Sequence, residues 1–173
     1  MALIVETGSG SATAESYATV AEASAYHAVR GNEDAWDAID DQEAALRLAT
    51  MYMEQAYRLK WKSHRVSSTQ ALSWPRAYVQ TPDAPYGYGS FAAYVPNNVV
   101  PTEVKHACME LALKTADGAL APDIERSALI EKIGAIEVHY DPNAPQFTRY
   151  RSIDMLLAPY FNNAGVGVSL VRS

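Results

Sequence analysis

Residues 43–62 read EAALRLATMYMEQAYRLKWK, and the fold turns on how this stretch is interpreted. Leu46, Ala49, Met53, Ala56 and Tyr57 recur at helical spacing, which places them on one apolar face of a helix. Asp40-Asp41-Gln42-Glu43 supplies the acidic start that a helix dipole favours. Toward the N-terminus, Thr19-Val20-Ala21-Glu22 has the spacing of a capping box, in which hydroxyl and carboxylate each bind the other residue's amide. The spacing predicts an earlier helix running to about Val29, with Gly31 free to take the left-handed conformation that ends it. Trp36 falls between the two helices, where a large ring fills the corner of a helical pair. Residues 1–16 begin apolar and become small and polar, as a brief strand or extended arm leading into a linker.

Toward the C-terminus, residues 70–76, QALSWPR, read as a short extended segment, because a residue before proline is biased away from helix. Residues 81–98 carry three prolines, two glycines, Tyr86, Tyr88, Tyr94 and Phe91, and form a long loop. Pro101 opens the next helix, with Val104, Cys108, Leu111, Ala112 and Thr115 as its stripe and Asp117-Gly118 at its end. Ser127–Lys132 reads as a short helical or turn segment, and residues 133–140 alternate as a half-buried strand. Ser152 is placed to cap a short helix through Met155, Leu156 and Leu157. Residues 162–173 end in alternating Val166, Val168 and Leu170, an extended arm able to add a strand to a partner. The expected fold is therefore mostly α: a small helical bundle with a short β-strand or hairpin element and extended N- and C-terminal arms.

At 173 residues, 49% hydrophobic and 20% charged, the chain suits one globular domain, since a domain typically takes about 150 residues. Its composition excludes collagenous and fully disordered classes. Cys108 stands alone, so no intrachain disulfide forms. No apolar run approaches the ~20 residues of a membrane span, and MALIVETGSG lacks the basic and apolar regions of a signal peptide. The expectation is a soluble protein made in a cytoplasm, with no membrane partner.

A search for chemistry returns little. No G-x-S-x-G nucleophile elbow is present, and Cys108 falls in a helical apolar stripe as a small hydrophobe. His27, His64, His106 and His139 are scattered, without H-x-x-x-H, H-E-x-x-H or C-x-x-C spacing. Gly87-Tyr88-Gly89 is a fragment of a phosphate loop without the G-K-[ST] that would follow. No catalytic residue, cofactor or metal is expected.

Charge is more informative. The net charge is -6, which argues against a protein that coats nucleic acid. Residues 1–57 hold ten acids and two bases, whereas residues 58–76 hold Arg58, Lys60, Lys62, Arg65 and Arg76 with no acid. This basic island interleaves its cations with Trp61, His64 and Trp74, the pattern by which single-strand binders hold phosphate and stack bases. Two other readings stand beside it. The cations can satisfy the end of the preceding helix, with both tryptophans in the core, or they can meet an acidic face of a protein neighbour. Tyr86, Tyr88, Phe91 and Tyr94 read either as an interface or as a loop cover.

The stretches MALIVETGSG, SYATVAEASAYHAVRG, EAALRLATMYMEQAYRLKWKSHRV, QALSWPR, VPTEVKHACMELAL, KIGAIEVHYDP and SIDMLLAPY, in this order, resemble the head–tail connector (adaptor) proteins of tailed bacteriophages. QALSWPR and the K-x-G-x-I-x-V-x-Y strand are the most distinctive parts. The resemblance implies a virion protein that docks as a ring of about twelve copies on the portal protein. It also implies a bridge to the next neck or tail protein, with double-stranded DNA passing through the lumen without sequence recognition, and no catalytic residue. On that view Val166, Val168, Leu170 and Val171 form the portal-binding arm. Arg58, Lys60, Lys62 and Arg65 meet a neighbouring copy or the DNA, and Tyr86, Tyr88 and Phe91 form an interface loop. Some of these proteins are also described as similar to a primosomal single-strand DNA-binding protein. That is the competing expectation: a single-stranded DNA-binding replication accessory protein.

Overall fold

A computed structural model describes residues 2–83, 93–123, 130–133, 136–139 and 148–162. Among the described residues, five α-helices, α1 (Val20–Val29), α2 (Glu33–Asp37), α3 (Gln42–Tyr57), α4 (Thr102–Lys114) and α5 (Arg151–Leu157), build a mostly helical body. Strands β1 (His64–Arg65) and β2 (Arg76–Ala77) form one antiparallel pair, and β3 (Ile130–Ile133) and β4 (Ile136–His139) a second.

The helices start where the sequence places their caps. The Thr19 hydroxyl accepts the Glu22 amide at 3.0 Å and the Glu22 carboxylate accepts the Thr19 amide at 2.8 Å, closing the capping box of α1. Gly31 lies just beyond that helix at φ 72°. Asp41 caps α3 by accepting the Ala44 amide at 2.8 Å. Leu46, Ala49, Met53 and Tyr57 are buried along one face of α3, which packs on α4 through Val104, Cys108, Leu111 and Ala112. The α5 helix also packs on α4, with Ile153 and Leu157 buried.

Three expectations are corrected. Residues 2–16 are closed on the body: Val5 pairs with Ser16, and the Glu6 carboxylate, fully buried, accepts the amides of Gly8, Gly10 and Ser11 at 2.8–3.0 Å. A carboxylate out of water must be surrounded by donors, and this small-residue turn supplies them. Gly8 is required there, since a Cβ would lie 1.9 Å from the Asn98 carbonyl oxygen. The stretch 127–132, expected as a short helical or turn segment, contributes Ile130–Lys132 to β3, and residue 133 belongs to β3 as well. Ile133 pairs with Ile136 and Ile130 with His139; pairing across a hairpin overrides the weak local signal. Ser152 does not cap α5, which starts at Arg151 and has no side-chain cap. The hydroxyl therefore sits inside the first turn. The C-terminal arm beyond residue 162 and the loop residues 84–92 lie outside the described residues.

Between α1 and α4, His27 is fully buried and stacks on Trp36 at 5.1 Å, its Nε2 3.2 Å from the Met109 carbonyl. Trp36 donates its indole N–H to Ser24 at 3.0 Å. His106 stacks against Tyr26 at 4.5 Å. Burial lowers the pKa of both histidines, so the folded state favours their neutral forms.

Two predictions follow from this core. Below about pH 6.5 the unfolded chain binds more protons than the folded one at these histidines. Stability is therefore full above that pH and is lost as pH falls through it. Urea midpoints measured from pH 7.5 to 5 are expected to fall, and His27→Gln is expected to flatten that slope. Trp74→Ala, which removes a fully buried ring, is expected to cost about 3–5 kcal/mol in equilibrium unfolding. A loss below about 1 kcal/mol would place that ring outside the core.

Candidate interaction surface at the basic corner

The basic island forms the turn by which the chain leaves α3. Arg58 ends the helix, and the Lys60 amide bonds back to the Tyr57 carbonyl at 2.8 Å. Trp61 pairs antiparallel with Phe161; the Lys62 amide donates to the Tyr160 carbonyl at 2.9 Å and the Asn162 amide to the Lys60 carbonyl at 2.7 Å. The turn is thereby stitched to the residues that follow α5. Ser63 and Tyr78, both at positive φ (59° and 58°), bracket the short β1–β2 ladder.

Beneath it, QALSWPR folds inward. The Gln70 amide group donates to the Leu72 and Pro75 carbonyls at 2.8 and 3.0 Å, while its oxygen accepts the Ser67 amide at 2.9 Å. Buried Arg76 donates to three backbone carbonyls, those of Lys62, Ser63 and Ser73. Ser73 reaches α3: its amide and hydroxyl donate to the Glu54 carboxylate at 2.9 and 2.7 Å. Tyr17 donates its hydroxyl to the same carboxylate at 2.5 Å. Burial, with the Glu54 charge beside it, holds the Tyr17 phenol well above its ordinary pKa, so it stays a donor.

The structure therefore divides the sequence-predicted site. Trp61 and Trp74 are buried and pack edge to face at 5.7 Å, so neither offers a face to a nucleobase. The Lys62 ammonium donates to the Pro159 carbonyl at 2.7 Å, and the Arg65 guanidinium to the Gln70 carbonyl at 2.9 Å. Arg58 and Lys60 are exposed, with the Lys60 ammonium 5.0 Å from the Tyr57 ring centroid. The interface-loop residues Tyr86, Tyr88 and Phe91, and the arm residues Val166, Val168, Leu170 and Val171, lie outside the described residues.

Sequence reading names His64 with the basic island and Tyr94 with the tyrosine loop, but misses Tyr78 and the clustering of the three rings. Tyr78 is 71% exposed and Tyr94 51%, with centroids 6.3 Å apart and perpendicular, and His64 lies 5.6 Å from Tyr78. The Gln80–Tyr94 bridge and the Val95 amide on the Val79 carbonyl bring them together. Ala77, Tyr78, Tyr94 and Pro96 border a cleft of about 320 Å³. No spacing rule pairs residues 78 and 94 across a long loop; the proximity of Tyr78 to the cation run was the available signal.

Elsewhere, Leu48, Met51, Tyr52 and Leu120 line an apolar cleft of about 310 Å³. Cys108 is buried against Thr50 and Ser16, and burial raises its thiol pKa, as suits a small hydrophobe. Among the described residues no three His, Cys, Asp or Glu side chains gather as a metal site, and no helix is long and apolar enough to cross a membrane.

These features define a mostly helical protein whose basic segment is built into a structural corner bordered by exposed rings. The chain belongs to the family described as "Putative DnaT-like ssDNA binding protein", whose model matches residues 1–173. No curated protein and no solved structure matches it.

The corner separates enclosed from outward rings, and mutation distinguishes them. Trp61→Ala is expected to lower the unfolding free energy by about 3–5 kcal/mol. Tyr78→Ala is expected to change it by about 0.5 kcal/mol or less, as for an ordinary surface position. Equal losses in thermal or urea unfolding would contradict the division.

Proposed function

We propose that this protein is a non-enzymatic structural subunit of a tailed-phage virion. It is a neck adaptor that docks as a ring of about twelve copies on the portal protein at the head–tail interface. There it bridges the portal to the next neck or tail protein and encloses part of the DNA channel. The ordered resemblance of its motifs over nearly the whole chain supports this reading. The observation that carries it over its rival is the burial of Trp61 and Trp74. The cation–ring pattern of the island is used to fold the corner, and its tryptophans cannot stack on bases. A net charge of -6 per copy also suits a lumen that repels the phosphate backbone, letting double-stranded DNA slide. Val166, Val168, Leu170 and Val171 are assigned to the portal contact, and the cations of residues 58–65 to a neighbouring copy.

A second reading has specific support. The family description favours a single-stranded DNA-binding accessory protein. Exposed His64, Tyr78 and Tyr94, near an acid-free stretch, are the rings that such a protein would use. Two measurements on the purified protein separate the readings. The adaptor reading expects a ring of added density on the portal in electron microscopy, and no oligonucleotide binding by fluorescence anisotropy near 0.15 M salt. Absence of the ring, together with single-strand binding that weakens by about 10³-fold or more between roughly 50 and 200 mM salt, would overturn it in favour of the second.

A further inference from the structure

The α3 helix separates two corners of opposite charge. Residues 31–46 contain Glu33, Asp34, Asp37, Asp40, Asp41 and Glu43 and no base; residues 55–82 contain Arg58, Lys60, Lys62, Arg65 and Arg76 and no acid. The first stretch holds α2 and the start of α3, and the second begins at its last turn. Sixteen helical residues span about 24 Å. That is more than twice the screening length of about 8–10 Å at physiological salt, so the corners cannot neutralise each other within one molecule.

Within each corner the outward charges are not internally satisfied. Glu33, Asp34, Asp37 and Asp40 are exposed and enter no ion pair among the described residues, and the same holds for Arg58 and Lys60. Glu43 differs, being paired to Arg47 at 3.1 Å, and Asp41 caps α3. The basic corner also carries an apolar side chain in water: Leu59, between Arg58 and Lys60, is 95% exposed. Val29, at the end of α1, is 85% exposed as well, with the exposed Arg30 between it and the acidic run. An apolar residue beside charges of one sign, as at Leu59, is a surface suited to a partner of opposite sign that also brings an apolar group.

We propose that the partner is a second copy of this chain. The acidic corner of one copy, Glu33, Asp34, Asp37 and Asp40, docks on the basic corner of the next, around Arg58, Leu59 and Lys60. The two surfaces differ and lie at opposite ends of α3, so the contact is heterologous and propagates from copy to copy. When the rotation per copy closes, such a contact makes a ring, and when it does not, a filament. The inference specifies the side-to-side contact of the proposed ring, and in that respect it rests on the adaptor reading.

Charge exchange within the full chain tests it. Wild-type protein at about 20 mM salt is expected to show concentration-dependent association in sedimentation velocity, reversed by about 0.5 M salt as the charges are screened. The variant R58E/K60E is expected to weaken that association at least about tenfold, because acids then face the acidic corner, and D34K/D37K to weaken it too, because it cancels the charge of that corner. The four-residue exchange in one chain is expected to restore association above either double variant, since the introduced lysines then face the introduced glutamates. All these positions are exposed, and circular dichroism and thermal midpoints confirm that each variant folds. A wild type that stays monomeric at low salt, single-corner reversals without effect, or an exchange that does not rescue would each overturn the proposal. Electron microscopy of the same variants with the portal distinguishes the two levels. Portal rings unaffected by the reversals leave the adaptor reading standing and sink this contact. Rescued self-association without portal binding does the opposite.

Discussion

One side chain, Glu54, holds together three parts of the chain that are distant in sequence. Its carboxylate accepts the Tyr17 hydroxyl from the N-terminal segment and the Ser73 amide and hydroxyl from the corner, while its backbone belongs to α3. The Tyr17 hydroxyl oxygen in turn accepts the Ser73 amide at 3.0 Å and the Trp74 amide at 3.3 Å. Removing the carboxylate would take the acceptor from the Tyr17 and Ser73 hydroxyls at once, and an unmet buried group costs more than the mean hydrogen bond contributes. The positions of Trp74, Arg76 and the β1–β2 ladder follow from that junction.

The same junction governs how the basic island is to be understood. Cations and rings that alternate in sequence suggest a strand-binding groove. In the folded chain Arg76 turns inward to three carbonyls, Trp61 and Trp74 meet edge to face, and Arg58 and Lys60 project outward. The single-strand binding in the family's description and the proposed adaptor role therefore make different demands on one corner. The first needs the outer rings His64, Tyr78 and Tyr94 to stack on bases; the second needs the outward cations to meet a neighbour.

What could be read from the sequence was what is encoded locally. The capping box at Thr19 and Glu22, the Asp41 cap and the apolar faces of α3 and α4 each depend on residues within a turn or two of one another, and the structure carries them as expected. Burial of Trp36, Trp74 and Cys108 was also within reach, because Trp36 falls at the corner of a helical pair, Trp74 precedes a proline and Cys108 lies in an apolar stripe. The misses share a cause. Glu6, Glu54 and Arg76 are charged residues that the fold encloses or half-encloses by aiming backbone or hydroxyl groups at them from other segments. Hydrophobic periodicity carries no mark of such long-range satisfaction. The pairing of Tyr78 with Tyr94 and of β3 with β4 was hidden for the same reason: strand partners are chosen in three dimensions.

Glu54 and Tyr17 tie the corner into the cooperative core, and native-state amide hydrogen exchange is the measurement that reads this. The Ser73 and Trp74 amides are expected to exchange as slowly as those of Ala49 and Met53 in α3, near the limit set by global unfolding. Exchange at Ser73 and Trp74 as fast as at the exposed residues Ser68 and Thr69 would contradict it, and would return the island to the surface as an open, ligand-accessible segment.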